Sequence, residues 1–180
     1  MLLLLSNPSK EWLKMDAEPG GRMVVSEFVY PLIGLCGLSE FIGTFIGRDF
    51  SNELFQIALT RCCEVAVSLF GGFFLAVYLL KRVNRQGDYK QLPAARVEEF
   101  VAGSMVVIFV LDIVSGLFSI ELLYWILQLY TIYVVYEGAR SFMQVPEKSL
   151  VGYTVVATCV VLLCPALVGY LFKQLSLILN

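Results

Sequence analysis

The residues of this chain that could do chemistry are charged side chains placed within or beside long apolar segments. A charge near the centre of a bilayer costs about 2.5 to 3.5 kcal/mol on insertion scales, so each needs a partner, water or a function. Five such groups fall toward one end of the predicted helices: Glu40, Arg61, Glu64, Asp112 and Glu121. Because Arg61 and Glu64 are three residues apart, they share one helical face.

Two interpretations of this polar cluster stay open. In the favoured one, Arg61 holds Glu64 and Asp112 together as a polar staple between helices, while Glu40 and Glu121 reach the membrane interface. In the other, Glu64 and Asp112 are the deepest acids of a hydrated cavity that admits protons or cations. The same two carboxylates are the candidates for any divalent metal ion, because such ions prefer oxygen ligands.

The sequence offers little else for catalysis. It contains no His, which removes Ser–His and Cys–His pairs and His-containing metal sets. Of the Asp residues, only Asp112 lies well inside an apolar segment, so two aspartates cannot pair there. We therefore expect no enzymatic activity and no cofactor. Small buried apolar residues, without a C-x-x-C pair, are the expected role of the cysteines at 36, 62, 63, 159 and 164.

Composition places these residues in a membrane protein. The chain has 180 residues, of which 58% are hydrophobic and 16% charged, and its mean hydropathy is +0.78. Soluble domains are nearer half apolar and a quarter charged, so a soluble globular protein is excluded. The net charge of −2 provides no basic field for nucleic acid, and nucleic-acid binding is not expected.

Apolar stretches of about 20 residues indicate five transmembrane helices. They do not alternate as the strands of a membrane β-barrel would. The expected fold is an all-α polytopic membrane helix bundle with a short N-terminal interfacial helix. Residues 1–23 form the cytoplasmic interfacial segment, 24–172 the transmembrane domain, and 173–180 a tail on the outer or lumenal side. The predicted spans are 24–46, 53–80, 97–118, 120–142 and 150–172.

The interfacial helix has a recognisable start. Asn7 is its expected cap and Pro8 its first helical residue, with Trp12 dipping into the headgroup region. A second proline, Pro31, lies just inside the first span, where a bend is expected because proline has no N–H to donate.

Small residues and a second set of charges complete the pattern. Ser39, Gly43 and Gly47 form a small-xxx-small ridge that permits close helix packing, within the protein or between copies. A second group of charged residues lies near the opposite span ends, and most of its members are expected to be solvated or to reach the interface: Glu27, Glu98, Glu99, Glu137 and Arg140.

The distribution of Lys and Arg predicts the orientation. Ten of them flank the first, third and fifth predicted spans on the side of the N-terminus, and two lie on the other side: Lys10, Lys14, Arg22, Lys81, Arg82, Arg85, Lys90, Arg96, Arg140 and Lys148 against Arg48 and Lys173. The excess places the N-terminus in the cytoplasm and the C-terminus outside or in a lumen.

Pro8 followed by Trp12, and then Tyr30-Pro31-Leu32 opening the first span, resemble the Yip family, membrane proteins named for interaction with Ypt and Rab GTPases. The resemblance is to its short bacterial members, and it extends in topology over nearly the whole chain. It implies a five-helix membrane fold and a bacterial inner-membrane location. The long polar N-terminal region of eukaryotic members is missing.

The sequence therefore supports two hypotheses about function. The first is a non-enzymatic membrane protein that organises the bilayer or binds partners: membrane lipids, a second copy of the chain or another membrane protein. The alternative is a small proton or cation transporter or channel that uses the intramembrane carboxylates.

Overall fold

The computed structural model describes residues 2–17, 24–86, 93–118 and 121–179, without the side chains of residues 2, 86, 121–127, 177 and 179. Within these residues the chain forms six helical segments. We number them α1 (Pro8–Ala17, after a 3₁₀ turn at Leu2–Leu5), α2 (Tyr30–Phe45, after a π-helical turn at Val25–Val29), α3 (Asn52–Gln86), α4 (Ala94–Ser104 and Val106–Phe118), α5 (Glu121–Glu137, continued by a π-helical turn at Gly138–Phe142) and α6 (Glu147–Leu179).

Four of these helices are long and apolar enough to cross a membrane: α2, α3, α4 and α6. The all-helical fold is confirmed, and so are four spans by length and composition. The fifth predicted span, 120–142, is not confirmed, because α5 is not among the described helices that are long and apolar enough by these criteria. α6 continues as a helix to Leu179, through most of the segment predicted as the tail.

The π-helical turn before α2 accounts for Pro31. A proline ring clashes with the carbonyl one turn earlier and donates no hydrogen bond. In the structure the preceding turn is widened, and the Tyr30 N–H donates to the Val25 carbonyl, five residues back. Pro31 is thus accommodated by a π-helical turn at Val25–Val29, while the expected bend stays a prediction.

The long helices close into a ring around a shared core. α2 packs against α3 and α4, α3 packs against α6, and α5 contacts both α4 and α6. α4 is the most enclosed, and every residue from Glu99 to Phe109 is buried. Glycines permit the closest crossings: a Cβ on Gly72 of α3 would lie 2.5 Å from Cα of Pro165 in α6.

Candidate functional site

The predicted polar cluster gathers around Glu40. This half-buried carboxylate of α2 lies within electrostatic reach of Arg61 and Glu64 on α3. From the other side Glu40 acts on Asp112 of α4. The structure thus groups these four residues near the ends of α2 and α4, which we call the Glu40 end of the bundle. Glu40 occupies the centre of the group, where the sequence interpretation placed Arg61.

Arg61 faces outward. Its side chain is exposed and lines a surface groove of about 630 Å³ with Glu53, Gln56 and Thr60. The stretch 62–80 that follows measures about 28 Å at 1.5 Å per residue, close to the roughly 30 Å of a hydrocarbon core. Arg61 therefore sits at the boundary of the apolar part of α3. Glu64, one turn further in, is partly buried.

No metal centre is evident at this end. Among the described residues, no three His, Cys, Asp or Glu side chains converge as they would to hold an ion. Glu121 begins α5, but its side chain lies outside the described part of the chain. The role of Glu64 and Asp112 as metal ligands stays a prediction.

The small-residue ridge of α2 packs inside the protein. A Cβ on Gly43 would overlap the carbonyl of Gly116 in α4. Ser39 donates a hydrogen bond to the Cys36 carbonyl at 2.7 Å, and its hydroxyl lies 3.5 Å from the carbonyl of Asp112. Gly47 has a positive φ of 73° and open space around it, beyond the end of α2. Ser39 and Gly43 therefore bring α2 and α4 together beside Glu40.

The opposite end of the bundle holds a site that the sequence did not reveal. Trp12 of α1 is completely buried, in a pocket between α4 and α5. Its indole N–H donates to the carbonyl of Val134 at 3.0 Å. The expectation that Trp12 inserts into lipid headgroups is wrong for this side chain, because protein surrounds the ring. We call this side of the molecule the Trp12 end.

Two glycines make room for the indole. A Cβ on Gly103 of α4 would lie 2.5 Å from Cη2 of Trp12, and a Cβ on Gly138 would lie 2.7 Å from Cε2. Neither helix can carry a side chain there without moving the ring. The rings of Phe100 and Phe142 complete the pocket, with centroids 5.7 and 5.2 Å from the indole.

Arg96 fastens the last turn of α1 to this pocket. Its guanidinium pairs with Asp16 of α1 and donates two hydrogen bonds to the Phe142 carbonyl, from Nε at 3.1 Å and from a terminal nitrogen at 2.6 Å. It also lies 4.7 Å from the centroid of the Phe142 ring. One arginine fork thus joins α1, α4 and the π-helical turn after α5.

The residues ahead of α1 extend along the same cleft. Leu4 is fully buried, and the Tyr130 hydroxyl donates to the Leu5 carbonyl at 3.1 Å. Leu5 borders a small cavity of about 260 Å³ with Val107, Val110 and other residues. The segment 2–17 is therefore docked between α4 and α5.

The remaining residues of the sequence motif lie at the start of the first helices. Pro8 is buried and begins α1, as expected from its lack of an N–H, and Leu32 is buried in the core. Tyr30 is 43% exposed and stacks on Phe70 of α3 at 5.7 Å. Pro31 faces outward. Pro8 and Trp12 therefore dock α1, whereas Tyr30 contacts α3.

Charges at the Trp12 end divide into two environments. Lys81 of α3 forms a salt bridge of 2.8 Å with Glu98 of α4. The adjacent Glu99 is 1% exposed. Glu99 is therefore an exception among the charges near these span ends, and it points into the bundle because neighbouring helical residues face different directions.

Comparison with known protein families identifies this architecture. The chain matches the Yip1 domain over residues 2–169, nearly its whole length. The chain belongs to the Yip1 family. The resemblance read from Pro8, Trp12 and Tyr30-Pro31-Leu32 is thereby confirmed. Comparison with curated proteins and with solved structures gives no match.

Membership of the Yip1 family makes this an integral membrane protein, and proteins of that family are generally non-enzymatic. The Yip1 match includes the docked segment as well as the long helices. The described residues of the protein offer packing and hydrogen bonding. An indole lies in a glycine-lined pocket at the Trp12 end, and a polar group surrounds Glu40 at the Glu40 end.

Proposed function

We propose that this Yip1-domain protein is a non-enzymatic membrane protein that organises the bilayer or binds partners within it. The observation that carries the proposal is the extent of the Yip1 match, which covers residues 2–169 and hence nearly the whole helix bundle with its docked N-terminal segment. A protein built in this way acts through the surfaces that its helices present to lipid and to other proteins.

We further propose that α5 completes a fifth crossing. Arg96, near the start of α4, donates to the carbonyl of Phe142, which ends the π-helical turn after α5, so α5 with that turn returns to the level at which α4 begins. α5 follows α4 after residues 119 and 120, which favours an antiparallel return across the same thickness.

The proposed membrane is a bacterial inner membrane, on the resemblance to the short bacterial members of the family. The excess of Lys and Arg at the Trp12 end supports a cytoplasmic N-terminus. With five crossings the C-terminus then lies outside.

The partner surface that we propose is the outward side of α1. Lys10, Leu13 and Lys14 are exposed there, with Leu13 58% exposed, while Trp12 holds the helix in place. The ridge of Ser39 and Gly43 is a weaker candidate for an interface between copies, because Gly116 already covers it. A second copy or another membrane protein is the expected partner at α1.

Site-specific photo-crosslinking in native membranes tests this proposal. A photoreactive residue at position 13 is expected to give one or a few discrete adducts, and mass photometry of native nanodiscs is expected to show assemblies larger than the monomer. A photoreactive residue at Leu38, which is 50% exposed on α2, is the matched control. Monomers alone, with equal labelling from both positions, would remove the proposal.

A second candidate, proton or cation transport, is favoured by one observation. Glu40 lies within reach of Arg61, Glu64 and Asp112, which joins three helices at the Glu40 end through ionisable groups. Ion flux into liposomes containing the purified protein tests it. Transport requires flux that falls when Glu64→Gln and Asp112→Asn are introduced, whereas unchanged flux excludes it.

A further inference from the structure

The surface of α3 carries a basic groove near the Trp12 end. It has a volume of about 500 Å³ and is lined by Tyr78, Lys81, Arg82 and Arg85. The charge of Lys81 is paired with Glu98 in a salt bridge. The positive charge of this groove that can bind an anion is therefore that of Arg82 and Arg85, both of which are exposed. Tyr78 is 59% exposed and adds a hydroxyl donor. Because Tyr78, Arg82 and Arg85 are spaced four and three apart, they share one helical face.

A second, apolar groove lies between α3 and α6. It has a volume of about 450 Å³, and its lining consists of Leu, Val, Ala and Cys side chains. Leu75 and Leu79 form the α3 wall, and the α6 wall includes Cys159, Leu163 and Ala166. Leu163 is 63% exposed and therefore faces the surroundings of the bundle.

The two grooves are consecutive along α3. Arg82 follows Leu79 by three residues and Leu75 by seven, spacings that keep all three side chains on one side of a helix. At 1.5 Å per residue, Arg82 lies about 5 Å beyond Leu79 along the axis. The apolar stretch 62–80 ends at Lys81, so the basic groove begins at the depth where the hydrocarbon core gives way to headgroups.

We propose that the two grooves form a binding site for one anionic phospholipid of the leaflet at the Trp12 end. Arg82 and Arg85 bind the phosphate of the headgroup, and the Tyr78 hydroxyl donates to one of its oxygens. One acyl chain lies in the groove between Leu75, Leu79 and Leu163. A lipid with net negative charge is selected because a zwitterionic headgroup would bring its own cation against two arginines.

This inference deepens the proposed function by naming a lipid and its site. It rests on the proposed membrane role but not on any protein partner.

Native mass spectrometry of the purified full chain tests it, with matched-chain phosphatidylglycerol and phosphatidylcholine titrated separately. The wild type is expected to retain one phosphatidylglycerol in preference to phosphatidylcholine. Each basic residue near a membrane surface contributes roughly fivefold to the binding of an anionic lipid. The double variant Arg82→Gln/Arg85→Gln is therefore expected to bind phosphatidylglycerol about 25-fold more weakly, with phosphatidylcholine unchanged.

Lys148→Gln is the matched control, because Lys148 is an exposed cation near the start of α6 at the same end. It is expected to leave the preference intact. An equal loss in the control and the double variant would overturn the proposal, since it would mean diffuse attraction. Displacement of phosphatidylglycerol by millimolar inorganic phosphate would also overturn it, because free phosphate would then be the ligand.

Ala166→Phe tests the apolar half of the site. Ala166 is an exposed residue of the groove, so a larger side chain fills the groove while the fold is kept. We expect at least tenfold weaker retention of phosphatidylglycerol. Unchanged retention of phosphatidylglycerol would overturn the proposal. The proposal would also be overturned if the wild type were a dimer and Ala166→Phe converted it to monomers without changing lipid binding, because a second copy would then occupy the groove. Lipid is measured here on the isolated chain, so this inference can fail while crosslinking from position 13 succeeds, and the reverse.

Discussion

The fit of Trp12 between Gly103 and Gly138 makes a quantitative prediction for a double-mutant cycle. A Cβ added to Gly103 would lie 2.5 Å from Cη2 and 3.1 Å from Cζ2 of Trp12. An ordinary van der Waals contact of a Cβ begins at 3.4 Å, which is about 0.9 Å longer than the distance to Cη2. Forcing extra atoms into a packed core destabilises a protein by about 1 to 3 kcal/mol. We therefore expect Gly103→Ala to lower the free energy of unfolding by that amount.

The same substitution is expected to behave differently once the ring is smaller. Phenylalanine has no atoms in the positions of Cη2 and Cζ2, so Trp12→Phe removes the overlap with the ring. It leaves the contact of 3.1 Å with Cδ1 of Leu4, which lies at the end of a flexible side chain and can move by a few tenths of an ångström. Trp12→Phe alone costs about 1 to 3 kcal/mol, because the buried carbonyl of Val134 loses its donor. In that background Gly103→Ala should be neutral or stabilising by about 0.5 to 1 kcal/mol, the usual gain of Ala over Gly in a helix.

Denaturant unfolding in bicelles measures all four corners of the cycle. A coupling energy of at least about 1.5 kcal/mol is expected, well above the roughly 0.5 kcal/mol within which independent sites add. Gly152→Ala is the matched control, since its Cβ would meet nothing within 4 Å; it should be neutral or slightly stabilising in both backgrounds. Strictly additive changes in the free energy of unfolding would show that Trp12 does not fill the space beside Gly103.

Fluorescence gives an independent readout of the same pocket. The chain has two tryptophans, so Trp125→Phe leaves Trp12 as the sole emitter. Its emission should be blue-shifted and resist quenching by acrylamide, and Gly103→Ala should shift it to the red. A quenchable Trp12 in the unmodified pocket would contradict the buried position.

Three further predictions concern other parts of the bundle. Gly43→Ala should lower the free energy of unfolding by about 3 kcal/mol or prevent folding, because the added Cβ would overlap the Gly116 carbonyl. Gly34→Ala is the control and should be tolerated, since nothing lies within 4 Å of its Cβ. Thermal unfolding in nanodiscs compares the two variants, and equal stability would refute the close crossing of α2 and α4. Arg96→Lys should release α1 and raise proteolysis near residue 16, because lysine cannot form the two hydrogen bonds to Phe142; proteolysis equal to that of the wild type would remove this role. A C-terminal alkaline phosphatase fusion should be active in a bacterial host, because the five proposed spans would place that end outside. A fluorescent C-terminal fusion to green fluorescent protein would instead indicate four spans.

The sequence predicted the parts of the fold that depend on local properties. Apolar length alone marks α2, α3, α4 and α6, because each must satisfy its backbone internally while facing lipid. Pro8 at the start of α1 follows from its missing N–H, and the distortion before Pro31 follows from the same property. These features need no knowledge of which helices are neighbours.

The sites depended on pairings that local properties do not encode. The sequence of α1 alone predicts an interfacial position for Trp12. The glycines that enclose the ring are distant in sequence, Gly103 on α4 and Gly138 in the π-helical turn after α5. The spacing of Pro8, Trp12 and Met15 on one face of α1 was the available signal for a docked helix. Similarly, Arg61 and Glu64 share a helix, but the sequence does not show that α2 crosses α4 closely at Gly43 and Gly116. That crossing brings Glu40 within electrostatic reach of Asp112 on α4 as well as of Arg61 and Glu64 on α3.

The proposed function requires that this Yip1-domain protein acts through its surfaces and that the Glu40 group holds helices together. A structure in lipid nanodiscs, at a resolution that shows water and ions, decides between this role and transport. We predict a group with no water-filled cavity, in which Glu40 lies between Arg61 and Glu64 on α3 and Asp112 on α4. A hydrated cavity that reaches the membrane surface, with an ion between Glu64 and Asp112, would instead make transport the function.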